Sequence, residues 1–165
     1  MTDQKKAQAK VRSPRHLARV FALLGLYQWF ADPTQDYAGI EAHLSELVTD
    51  DPDETAGLDL DEGDFARANK AFFKSLLSGV LARNAEIAQI VAAAVDRDLN
   101  RVAMVERCAL YLGTYELLAC PETPWRVVLN ESVELAKEFG GGNRYTNGVL
   151  ENIARTLRPE ETAKM

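Results

Sequence analysis

The sequence predicts an all-α fold, a compact two-subdomain bundle of about six to seven helices. Three observations support it. Apolar residues recur at three- and four-residue spacing through most of the chain; no alternating run bounded by hairpin chemistry appears; and Ser-Pro, Pro and Gly-Gly-Gly punctuation falls where helices should start or stop. At 165 residues and 47% hydrophobic, the chain can bury one domain-sized core.

Ser13-Pro14 opens the first element, with a hydroxyl to cap it and a proline whose fixed φ suits a first turn. The helix runs to about Ala31 and is apolar nearly all round beyond Arg19, so its later turns should be buried. Its first turns, with Arg15 and Arg19 at i, i+4, should project from the body. A shorter helix is expected from Asp36 to Val48. Asp50 to Asp64 carries eight carboxylates and three breakers, Pro52, Gly57 and Gly63, and reads as a solvated loop.

The spacing of Phe65, Ala68, Phe72, Leu76, Val80, Ile87, Val91 and Ala94 predicts one long helix, bent if anywhere near Arg83-Asn84. Another should open at Asp98 or Asn100 and run to Cys120, apolar on two faces and therefore central. Pro121 and Pro124 separate it from a helix over Trp125–Phe139, with Glu131, Glu134 and Glu138 outward. Gly140–Gly142 stops that helix as a C-cap. The last helix spans Asn143–Leu157, where Gly148 reads as a close helix approach and Asn130 and Asn147 as structural hydrogen bonders. The expected organisation is a flexible basic arm over 1–13 and one helical domain over 14–165. Within the domain, 14–97 and 98–158 form two halves and 159–165 a tail.

Charge is unevenly distributed. Residues 1–19 hold six basic side chains against Asp3 alone, a local charge of +5, so the remainder carries −11 of the −6 total. The net charge argues against a general nucleic-acid binder, whereas a basic end on an acidic body allows local contact with phosphates. Cys108 and Cys120 sit in apolar helical sequence, outside any metal or redox motif, and read as free thiols of a cytoplasmic protein. The Asp59-x-Asp61 stretch fails the calcium-loop pattern, because Gly63 falls at the fifth position and Lys70 at the twelfth. His16 and His43 lack metal-helix spacing to Cys, Asp or Glu. Gly140–Gly142 lacks the lysine and spacing of a P-loop. No metal, no cofactor and no enzyme activity are expected.

The densest pattern is Pro124–Leu150, with Asn130-Glu131, Glu134-Leu135-Ala136-Lys137, Phe139-Gly140 and Asn147-Gly148-Val149-Leu150. Taken with Ala18-Arg19, Leu26-Tyr27-x-Trp29, Phe72–Val80 and Val105-Glu106-Arg107, it resembles the NusB family of bacterial transcription antitermination factors. The resemblance implies a factor that binds boxA-type single-stranded RNA of nascent ribosomal transcripts together with the ribosomal protein NusE. Other Nus factors and RNA polymerase would be engaged indirectly, and no membrane. It implies RNA contacts by Arg15, His16 and Arg19, with Lys10 and Arg12 upstream, and by Arg144 and Tyr145 at the turn into the last helix. Tyr27 and Glu106 would serve the protein partner, Glu106 as an acceptor for an arginine. Here His16 and Leu17 stand where the family commonly has arginine. The rival reading is a protein-interaction module or homodimer that masks the basic arm.

Overall fold

The computed structural model describes residues 12–47, 60–61 and 63–164, and every described regular element is helical. Helix α1 spans Pro14–Ala31; the Ser13 hydroxyl accepts the His16 N–H at 3.0 Å, as the Ser-Pro start requires. Residues 17 to 26 of α1 are all buried, which follows from its nearly continuous apolar sequence. Helix α2, Tyr37–Ser45, starts one residue later than expected because Asp36 serves as its cap, accepting the Gly39 N–H at 2.9 Å, and its last helical residue is Ser45.

The long helix expected over Phe65–Ala94 is three helices: α3 (Asp64–Arg67), α4 (Lys70–Ala82) and α5 (Asn84–Ala94). Ala68 is extended, and Asn69 caps α4 by accepting the Phe72 N–H at 3.0 Å, a local bond that competes with helix continuation. At Arg83 the chain bends, and α4 and α5 meet at 79°. The bend at Arg83 falls where the sequence allowed one, whereas the apolar period runs through the break at Ala68-Asn69 and conceals it. The end of the acidic segment is also less solvated than expected. Leu60 is buried, and the buried Asp64 carboxylate accepts the Asp61 N–H at 2.8 Å and pairs with Arg67. Most of the segment lies outside the described residues.

A single 3-10 turn, Leu99–Arg101, replaces the expected helix start at 98–100. Helix α6 begins at Met104 and ends at Ala119. It is the central helix, packed against α1, α4 and α5 as well as against α7 (Trp125–Glu138) and α8 (Asn143–Leu157). Where α4 crosses α6, Gly79 admits the Tyr115 ring so closely that a Cβ there would lie 2.3 Å from it. Buried residues from α1 through α8 form one continuous apolar cluster.

The turn between α7 and α8 uses Gly140 at φ +82°, the left-handed cap expected of a glycine stop. Gly148 is not a close approach: an added Cβ would meet open space. Asn130 and Asn147 are exposed and line an open groove between α7 and α8 with Trp125, Arg126 and Glu151. The expected tail instead forms helix α9, Pro159–Thr162. Arg158 anchors it, donating to the carbonyls of Glu116, Leu117, Cys120 and Thr123 at the end of α6. No single described helix is long and apolar enough to cross a membrane.

Candidate nucleic-acid interface

The N-terminal turns of α1 lie against the last turns of α7, and the two helices present complementary charges. Arg12, His16 and Arg19 are spaced four and three residues apart; Glu131 and Glu138 are seven apart. The His16–Arg19 and Glu131–Glu138 spacings each return to one helix face, and Arg12 joins them from just before the Ser13 cap. His16 Nε2 lies 2.6 Å from Glu138 Oε1 and its Nδ1 3.4 Å from Glu131 Oε2. Arg12 Nε lies 3.5 Å from the other Glu138 oxygen. Hydrogen bonding to Glu131 and then Glu138 outweighs partial burial and raises the His16 pKa to about 9, so the ring is a cation at neutral pH.

Arg19 does not project beside Arg15. It is 4% exposed and turns into the core, where its guanidinium forks onto the Glu116 carboxylate of α6 at 2.8 and 3.1 Å, with Glu131 at 3.7 Å. Glu116 is itself 1% exposed, so the fork neutralises a carboxylate that otherwise has no solvent. The physical reason is helical geometry. Arg19 falls one turn closer to the apolar stretch than Arg15, on the side that meets α6.

Arg15 is exposed, and among the described residues no carboxylate pairs with it. Its guanidinium carbon sits 3.7 Å from the centroid of the Phe72 ring on α4. The aromatic face holds the cation without neutralising it. Lys10 lies outside the described residues.

At the other end of the glycine turn, Arg144 is exposed on the first turn of α8. Tyr145 is half-buried, its ring 4.6 Å from the Arg97 guanidinium, and burial pushes its phenol pKa up. Glu106, at the start of α6, accepts the Gly142 N–H at 3.0 Å and so braces the turn that presents Arg144. Tyr27 is 37% exposed on α1, one of two large hydrophobic side chains exposed among the described residues. The geometry thus joins Arg12, His16 and Arg19 to α7, and Glu106 to the Arg144 turn. The seven residues from Glu138 to Arg144 connect the two regions along the chain.

The NusB family model matches residues 16–155, nearly the whole described helical body. The chain belongs to the NusB family. Among its relatives are the transcription antitermination protein NusB of Dechloromonas aromatica, 41% identical over 94% of this chain and 87% of the relative, and that of Thiobacillus denitrificans, 42% identical over 89% and 92%. A solved NusB structure from T. maritima superposes with a TM-score of 0.69 at 26% identity, covering 94% of this chain and all of that one. The helical NusB fold and the antitermination family expected from the sequence therefore hold.

Sequence reasoning did not single out Glu116, Glu131, Glu138 and Phe72 as partners of the basic turns. The seven-residue spacing of Glu131 and Glu138 on α7, equal to that from Arg12 to Arg19 across the start of α1, was the available signal.

Proposed function

We propose that this NusB-family chain holds boxA-type single-stranded RNA of nascent ribosomal transcripts through the first turns of α1 and the Arg144–Tyr145 corner. The surface with Tyr27 and Glu106 then docks the ribosomal protein NusE within an RNA polymerase elongation complex. The observation that carries the RNA reading is Arg15: an exposed guanidinium fixed on the Phe72 ring, unneutralised among the described residues, at the end of the chain where basic residues gather. Such a cation binds phosphate with a salt dependence and offers a planar surface on which an unpaired base can stack. Arg19 serves this surface by fixing the first turn of α1 against α6, and its own guanidinium stays in the core. The exposed Tyr27 suits an aromatic contact in the buried part of a protein interface.

The test is titration of boxA-type and scrambled RNA at several salt concentrations, with and without NusE. Arg15→Ala should weaken boxA binding and flatten the logarithmic salt slope by about 0.7 for one lost single-strand phosphate contact. Unchanged affinity and slope for Arg15→Ala, or equal binding of both RNAs throughout, would remove the reading.

A further inference from the structure

Of Arg12, Arg15, His16 and Arg19, at and just before the start of α1, three are matched by carboxylates of this same chain. Arg19 is committed to the core pair with Glu116. Arg12 and His16, which flank Arg15 in sequence, both converge on Glu138. Their pairing differs from that of Arg19 in one respect that decides what it can do. Arg12 and Glu138 each keep about a quarter of their side-chain surface in solvent, and His16 keeps 17%, whereas Arg19 and Glu116 keep 5% and 2%. The outer cluster can exchange partners with an anion from solution, while the inner pair is sealed.

Glu138 is also placed against the preference of its own helix. It is the last residue of α7, where the unsatisfied carbonyls favour a cation nearby. The carboxylate is held there by the cations of α1, at the end of a helix whose free N–H groups favour anions. A phosphate reaching this helix terminus meets the same two cations and a carboxylate already occupying them.

We propose that Glu138 is an internal competitor for RNA: its carboxylate holds Arg12 and His16, and phosphates of the bound strand gain those cations by displacing it. The affinity of the basic end is thereby set below what its charges could supply. This rests on the RNA reading given above. Glu131 assists from two turns earlier on α7, and because it also faces Arg19 it ties the exchangeable cluster to the fixed pair.

The experiment compares wild type, Glu138→Gln and Arg15→Ala by fluorescence anisotropy with a labelled boxA-type RNA in the presence of NusE, over a range of salt. Glu138→Gln should bind about three- to ten-fold tighter near 0.1 M salt. Its logarithmic salt slope should be steeper by about 0.7 for each freed cation that takes a phosphate. Adding Arg12→Ala and His16→Gln to Glu138→Gln should erase the gain. Thermal melting checks folding, and Glu138→Ala is the second variant should the glutamine protein fold poorly. Equal or weaker binding by folded Glu138→Gln and Glu138→Ala, with Arg15→Ala still impaired, overturns the competitor and leaves the RNA surface standing. Absence of RNA binding by wild type overturns both.

Discussion

Arg19→Ala separates a residue that supports the proposed RNA surface from one that belongs to it. The substitution removes a guanidinium that is 4% exposed and leaves the Glu116 carboxylate, 1% exposed, without its two hydrogen bonds of 2.8 and 3.1 Å. Breaking a buried pair from one side costs about 3–5 kcal/mol, because the surviving charge stays desolvated. At about 2–4 °C per kcal/mol for a domain of this size, the melting temperature should fall by roughly 6–20 °C. Urea denaturation followed by circular dichroism should give the same loss as a lower midpoint with an unchanged slope. Replacing both partners, Arg19→Met with Glu116→Met, should recover most of it, since well-packed apolar pairs commonly match buried ion pairs. Arg15→Ala should cost only the cation–π contact with Phe72, about 0.5–1 kcal/mol. A loss below about 1 kcal/mol for Arg19→Ala, or no recovery in the double variant, would refute the assignment of Arg19 to the core.

Two further outcomes follow from the same geometry. The folded state raises the His16 pKa from 6.5 to about 9, so its contribution is complete below pH 6.5, declines as pH rises through that window and is gone above about 9. After discounting for solvent screening the contribution is on the order of 1–2 kcal/mol, and the difference in melting temperature between wild type and His16→Gln should shrink from pH 6 to pH 9.5; a constant difference would contradict it. Arg158→Lys keeps the charge but cannot reach the four carbonyls at the end of α6 together, and should cost about 2–4 kcal/mol in thermal or urea unfolding.

What the sequence disclosed, and what it hid, divides along a physical line. The helix start at Ser13-Pro14 and the glycine stop after α7, both marked by local chemistry, appear as read. The bend at Arg83-Asn84 was legible too, but the break made by the Asn69 cap was not, because the apolar stripe continues across it from Phe65 and Ala68 to Phe72 and Leu76. At the site, the exposure of Arg15 and Arg144 could be read from polarity, but the burial of Arg19 could not. Its partner Glu116 lies ninety-seven residues away in sequence, inside a helix whose other buried residues are mostly apolar. A basic run states how much charge is present; which charges face outward is decided by tertiary pairing.

That distinction bears on how an acidic chain could hold RNA. The sum of −6 is a weak guide, and so is the +5 of the first nineteen residues. At the described end of α1, pairing with Glu116, Glu131 and Glu138 leaves Arg15 as the cation without a carboxylate partner among the described residues, seated on Phe72. Such a surface starts with little unspecific attraction for phosphate, since its field is largely cancelled within a few ångströms. Further cations become available as the strand displaces internal carboxylates, which requires phosphates at the positions those carboxylates occupy. Binding of this kind favours a strand whose backbone path fits over one that merely carries charge. Neutralising Glu138 should therefore strengthen the binding of scrambled RNA by a larger factor than that of boxA-type RNA, narrowing the ratio between them. A ratio that stays constant in Glu138→Gln would show that the internal pairing sets affinity without contributing to selectivity.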